Sequence, residues 1–190
     1  TPLYSSAASD VYKRQIPFKA EGFTASTPVH TVTRDSHGRL WIGMEDRIAM
    51  YDGSRLRYFT AHSGENNRMQ TAFATEIVED AKGRIWIGTW GDGLQYFDES
   101  VFDIRPERPV QLIGNHYDNR IWSMALAPDG TLWIGTFNSG LYKYDPDTEI
   151  LKEVLYFDPD GTRTYNRVND VIIGEDGYVW AAMYGKGIYK

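Results

Sequence analysis

A glycine stands three residues ahead of a tryptophan four times in this chain, in Gly38-Arg-Leu-Trp41, Gly83-Arg-Ile-Trp86, Gly130-Thr-Leu-Trp133 and Gly177-Tyr-Val-Trp180, at intervals of 45, 47 and 47 residues. Self-similarity at such a period, with strand-like content, is the signature of a propeller or array whose repeats each need a neighbour to bury their faces. A residue that recurs so regularly is expected to serve packing. Specificity is then to be sought in what differs between copies.

Alignment on the tryptophans outlines a blade. An apolar or β-branched stretch opens each copy, at Val29–Val32, Phe73–Val78, Ile121–Leu126 and Val168–Ile173. A turn follows that carries Asp35, Asp80, Asp129 or Asp176 and then glycine, residues suited to local backbone hydrogen bonding and to positive φ. The tryptophan strand comes next, then a short polar loop and a third strand at Arg47–Asp52, Gly93–Asp98, Gly140–Asp145 and Gly187–Lys190. A fourth strand is expected at Leu56–Phe59, Val110–Ile113 and Leu151–Phe157. Four strands per repeat make one propeller blade.

Within Trp86-Ile87-Gly88 the tryptophan and glycine share one face and the isoleucines the other. A large ring beside a residue with no side chain makes a knob and a hole. Gly43, Gly88 and Gly135 are therefore expected to receive a bulky group of the neighbouring blade, with Ala182 in that place in the fourth copy.

Both ends read as cut. The chain does not begin with Met, and residues 1–15 lack the repeat pattern, which fits either a non-native joined segment or a native disordered lead. Ile16–Gly22 resembles the outer strand and exit loop at Tyr58–Gly64 and reads as the tail of a preceding blade, while Lys190 falls in the third strand of the last copy. The expected fold is an all-β propeller fragment of four-stranded antiparallel blades over 16–190, with blades near 28–60, 71–114, 120–158 and an incomplete one at 167–190. That is about three complete blades plus partial blades at both ends. An open arc exposes apolar faces at its ends, so marginal stability and association are expected, whereas a monodisperse, sharply melting monomer would favour a closed four-bladed ring.

Composition narrows the function classes. A net charge of -6 with no basic stripe offers nothing to nucleic acid, and no apolar run is long enough to span a membrane. The absence of cysteine removes disulfides, thiolate metal sites and a cysteine nucleophile together. His30, His37, His62 and His116 show no metal-ligand spacing and no partnered Ser and Asp, and Asp158-Pro-Asp160-Gly161 reads as a turn rather than a calcium loop. No cofactor and no metal are expected.

The run Asp-x-x-Gly-x-Ile-Trp-Ile-Gly-Thr-x-x-x-Gly-Leu-x-x-Phe/Tyr-Asp, nearly whole at Asp80–Asp98 and again around Trp133–Asp145, resembles the two-component regulator propeller repeat. The likeness extends over Thr31–Lys190. It implies a periplasmic sensor region of a membrane-bound hybrid sensor histidine kinase, on the periplasmic face of the inner membrane, that responds to glycan breakdown products. The implied partners are an oligosaccharide or other small-molecule ligand and the rest of the same polypeptide, meaning further blades, a β-sandwich and a kinase; a homodimer stays open. No phospho-acceptor His box or ATP-binding glycine motif is present, so no catalysis is expected in these residues.

Ligands of propellers meet the loops at one mouth of the channel, where blades differ. The loops between the second and third strands and those entering each first strand supply Trp90, Asp92, Arg120, Phe137, Asn138, Arg167, Tyr184 and Lys186. Trp122 stands where other copies are read to have Thr31, Ala74 or Asn169, and with Asn169 completes the candidate ligand-binding set. Aromatic faces beside amides and charges suit a sugar. The competing reading is packing between blades, since Trp90, Phe137 and Tyr184 recur four residues after the motif tryptophan. A propeller lyase or glycosidase would need converging carboxylates, for which Glu45, Asp46 and Asp92 are the candidates, one with a raised pKa. A structural adaptor is the third alternative.

Overall fold

Each tryptophan strand is paired antiparallel on both sides, which makes it the second strand of a meander. The computed structural model describes residues 23, 27–62, 69, 71–107, 119–155 and 166–190. The first blade is β1 (Val29–Arg34), β2 (Leu40–Met44), β3 (Ile48–Tyr51) and β4 (Leu56–Phe59). The second is β5 (Ala74–Glu79), β6 (Ile85–Thr89), β7 (Leu94–Asp98) and β8 (Asp103–Pro106). The third is β9 (Ile121–Leu126), β10 (Leu132–Thr136), β11 (Leu141–Asp145) and β12 (Ile150–Leu155). Three strands, β13 (Val168–Ile173), β14 (Val179–Met183) and β15 (Gly187–Tyr189), form the fourth. Every sheet runs in sequence order, so the chain is an all-β, four-bladed arrangement of antiparallel sheets. The segments 1–22, the loop at 66–68, the residues Val110–Ile113, Tyr117, Asp118 and Asp158–Tyr165 lie outside the described residues.

One strand sits elsewhere than expected. The fourth strand of the second blade is β8 at Asp103–Pro106, because a four-residue turn closes the hairpin and pairs Asp98 with Asp103. Phe102 closes that turn with a φ of 53°, as Glu149 does at 56° between β11 and β12. Charged residues and a terminal proline hide β8 from a pattern search, yet an outer strand tolerates both.

The knob and hole are present at each junction. A Cβ on Gly43 would lie 2.9 Å from Ala74 Cβ, one on Gly88 2.7 Å from Ile121 Cγ2, and one on Gly135 2.7 Å from Val168 Cγ1. The face bearing tryptophan and glycine thus points forward, into the next blade's inner strand. Trp41 packs with Ile77, Ile85, Ile87 and Phe97, and Trp86 with Ile121, Met124, Leu132 and Ile134. The isoleucine face points backward. Hydrogen bonds add direction near the centre, where the Thr33 hydroxyl donates to Ile77 O at 2.8 Å and the Thr75 hydroxyl to Ile121 O at 2.8 Å.

Candidate functional site

The loops at one end of the blades are laced to one another by the main chain. Within a blade, the N–H of Trp90, Phe137 and Tyr184 donates to the carbonyl of Phe73, Arg120 and Arg167, respectively, at 2.9–3.0 Å. Between blades, Gly91 and Gly93 donate to Asn119 O, and Gly140 donates to Asn166 O. Consecutive loops are therefore held side by side, and their side chains meet.

They meet as alternating rings and guanidinium groups. Trp90 contacts Phe137 edge-on at 4.8 Å between centroids and Trp122 at 5.2 Å. Arg120 lies over Phe137 at 4.4 Å and over Trp90 at 5.4 Å. Arg167 lies over Trp122 at 4.7 Å, Phe137 at 4.8 Å and Tyr184 at 5.4 Å. Trp90, Trp122 and Phe137 are half-buried and Tyr184 is exposed; rings and stacked cations of this kind stabilise each other, each cation–π contact contributing about 0.5–2 kcal/mol, while leaving ring edges and faces at the surface. Phe73 continues the row through Trp90 at 6.1 Å, and His30 stacks on Phe73 at 4.6 Å.

Of the residues expected from sequence, Trp90, Arg120, Trp122, Phe137, Arg167 and Tyr184 are thus brought into one row. Asn138 joins it, its amide oxygen accepting from Arg120 Nη2 at 2.7 Å. Lys186 Nζ donates to the Oδ1 of buried Asn166 at 2.9 Å, in the loop next to Arg167. Asp92 instead turns inward, accepting from the fully buried Gln95 at 2.7 Å, and so braces its loop. Asn169 is exposed on β13 and makes none of these row contacts.

Trp122 has a structural cause for its position. The inner strands slip register between Val29 and Thr31, Ala74 and Glu76, Ile121 and Ser123, and Val168 and Asp170. The residues at these bulges are His30, Thr75, Trp122 and Asn169. Trp122 therefore corresponds to His30 and Thr75, not to Thr31 and Ala74 as expected. A bulge adds one residue and re-aims the side chain, which offsets a simple count by one. His30 was missed for the same reason, and Phe73, which precedes its bulge, takes the place that Arg120 and Arg167 hold in the next two blades.

A second set missed in sequence occupies the register opposite the motif glycines: Thr31, Glu76, Ser123 and, opposite Ala182, Asp170. Thr31 Oγ1 donates to Glu76 at 3.4 Å and Ser123 Oγ to Asp170 at 3.0 Å. Burial pushes the Glu76 carboxyl above its ordinary pKa, and the negative charge of Asp170 adds to the rise against hydrogen bonds from Ile77 and Thr31. Two of the carboxylates expected for catalysis are engaged by neighbours in their own loops. Asp46 is held below its ordinary pKa by the hydrogen bond from Arg47, and Asp92 is committed to Gln95. Among the described residues no three His, Asp or Glu side chains are grouped to hold a metal ion.

Comparison with known proteins accords with this architecture. Residues 8–189 match the family described as SMP-30/Gluconolactonase/LRE-like region. The chain belongs to this family. No curated protein matches its sequence. Among solved structures it is similar to the extracellular domain assigned to a hybrid two component system of B. thetaiotaomicron, with 22% identity and a TM-score of 0.66 over 87% of this chain and 21% of that one. A structure of that domain described as from a one component system gives 21% identity and a TM-score of 0.68, covering 90% and 22%. PorZ, a surface component of the type-IX secretion system of Porphyromonas gingivalis, gives 21% and 0.62, covering 88% and 24%. The property shared at these identities is the propeller fold, and the chain spans about a fifth to a quarter of each neighbour. The two-component regulator propeller repeat read from the sequence is a propeller repeat, and that fold is the one the neighbours share. No helix among the described residues is long and apolar enough to cross a membrane.

Proposed function

We propose that the chain is a ligand-recognising section of the periplasmic sensor region of a membrane-bound hybrid sensor histidine kinase, that its ligand is a glycan fragment, and that it carries no catalysis of its own. The observation that carries this reading is the row formed by Trp90, Arg120, Trp122, Phe137, Arg167 and Tyr184, in which aromatic faces and guanidinium groups alternate at one end of the blades. Ring faces take the apolar face of a sugar, and guanidinium and amide groups take its hydroxyls. The kind of protein to which the neighbours are assigned supports the sensor context. Signalling would follow from unequal affinity of the ligand for two arrangements of the receptor, since equal affinity shifts nothing.

Calorimetry of the chain against a panel of oligosaccharides tests this. Binding of one glycan class, weakened at least about tenfold in Trp122→Ala, is the expected result. Silence across all classes would remove the reading.

One observation favours an enzyme as the second reading: Glu76, with its raised pKa, senses the charge of Asp170. Turnover of a polysaccharide or lactone by the chain, abolished in Glu76→Gln, would establish it in place of the first.

A further inference from the structure

The charge of the row is one-sided. Among the described residues, the loops at 119–120, 137–140, 166–167 and 184–187 contain Arg120, Arg167 and Lys186 and no carboxylate, in a chain whose net charge is -6. These cations have only N–H groups to offer. Arg120 is anchored by its bond to Asn138, while the rings of Trp122, Phe137 and Tyr184 lie against the guanidinium of Arg167. A guanidinium packed among rings takes further partners through its N–H edge. On that edge Nε is buried and finds no acceptor among the described residues. Asn166, 1% exposed, repeats the pattern. Its Oδ1 takes the ammonium of Lys186, which fixes the way the amide is turned, and its Nδ2 is left buried without an acceptor among the described residues. Buried N–H groups are almost always paired, so two unmet donors on consecutive residues, next to a lysine ammonium, point to an acceptor that comes from outside.

We propose that the ligand of this row is an acidic sugar, whose carboxylate or sulfate is taken at the junction of the third and fourth blades by Lys186, Arg167 and the amide of Asn166. The proposal rests on the glycan reading above and narrows it. Both walls of the junction belong to the chain: Gly140 N–H donates to Asn166 O and Asn166 N–H to Asn138 O, so the two sets of loops are already joined. An anionic oxygen there accepts charge-assisted hydrogen bonds, which are shorter and stronger than those of a neutral hydroxyl. A hydroxyl would satisfy the buried N–H groups but would leave the positive charge of Arg167 and Lys186 uncompensated. The loop carboxylate of the second blade does not serve instead, since Asp92 turns inward to Gln95.

Calorimetry with matched pairs tests it: oligogalacturonate and oligoalginate against their carboxyl-reduced forms, and κ-carrageenan oligosaccharides against their desulfated form. At least one acid is expected to bind about tenfold or more tightly than its neutral partner, with the margin shrinking as salt is raised. Which pair responds separates carboxylate from sulfate. Lys186→Gln can still donate to Asn166 Oδ1 but lacks the charge, so the two affinities of the responding pair are expected to converge, whereas Lys186→Arg keeps the preference. Thermal melts establish that both variants are folded. If the neutral partners bind as tightly as the acids, or a neutral glycan binds while the acids do not, this inference falls and the glycan reading stands. An acid preference unchanged in Lys186→Gln places the anion elsewhere and overturns the proposal. Silence toward every glycan, acidic and neutral, removes both.

Discussion

The indole N–H of Trp86 donates to the buried carboxylate of Asp80 across 2.9 Å. That carboxylate also takes the Nε of Arg84 and the backbone N–H groups of Lys82 and Arg84. In the first blade Asp35 does the same for Trp41 at 2.8 Å and for Arg39. The acidic turn is thus the device that satisfies the polar edge of a buried ring. The third blade lacks it: Ala127 holds the equivalent place, and Asp129 is exposed and caps Thr131 N–H instead.

Replacement of Asp80 by Ala is therefore expected to cost about 2–3 kcal/mol, since a buried N–H and a guanidinium lose a charged acceptor. For a chain of this size that lowers Tm by roughly 4–12 °C. Asp129→Ala should cost about 1 kcal/mol or less, the loss of an exposed turn contact. Paired thermal melts read the difference, and equal costs would show that the indole bond is unimportant.

The same carboxylates set an acid limit, with opposite signs at different sites. Burial alone would raise the pKa of Asp35 and Asp80, but the hydrogen bonds from tryptophan and arginine outweigh it and hold both below the ordinary value. A lowered folded pKa contributes stability that is present above the unfolded value of about 3.9 and is lost as pH falls through the folded value. Glu76 is raised, so its ionisation opposes folding once pH climbs above its unfolded value. Glu76→Gln, which can still accept from Thr31, should raise Tm at pH 7 and leave it nearly unchanged at pH 4. A larger gain at pH 4 than at pH 7 would reverse the assignment.

Gly88 tests the junction between the second and third blades. An added Cβ would sit 2.7 Å from Ile121 Cγ2 and 3.2 Å from Met124 Sδ. Gly88→Ala should cost about 1–3 kcal/mol through overpacking. Ile121→Leu removes the β-branch methyl that the new carbon meets, so the double variant should recover part of that loss. Urea unfolding of the four proteins measures the coupling, and strict additivity would place the strain elsewhere.

The two left-handed turn residues should respond in opposite directions. Glu149 is exposed, so Glu149→Gly relieves its backbone conformation and gains about 0.5–1 kcal/mol. Phe102 holds the same conformation, but its ring meets Phe97 at 5.2 Å and Phe59 at 6.3 Å and lies under Arg57 at 4.5 Å. Phe102→Gly should lose stability, because these contacts exceed the strain relieved. Midpoints of urea unfolding decide both.

The propeller, its tryptophan strands and the glycine holes were legible because packing between blades repeats, and repetition survives in a linear string. β8 was not, because an outer strand held by a tight turn needs little apolar character. The row of rings was half legible. Trp90, Phe137 and Tyr184 stand at one offset from their tryptophans, but His30 and Phe73 belong to it only because bulged inner strands and laced loops bring them there.

The sequence by itself determined the fold class, the face that each tryptophan shares with its glycine hole and the loops that vary around that scaffold, since these follow from spacing and side-chain size. Tertiary structure alone decided which carboxylates are buried, that Asp92 braces a loop, and that Glu76 senses Asp170. Those outcomes depend on which way a side chain turns, on what packs over it and, for Glu76 and Asp170, on charge between strands of different blades, and a linear pattern carries none of these.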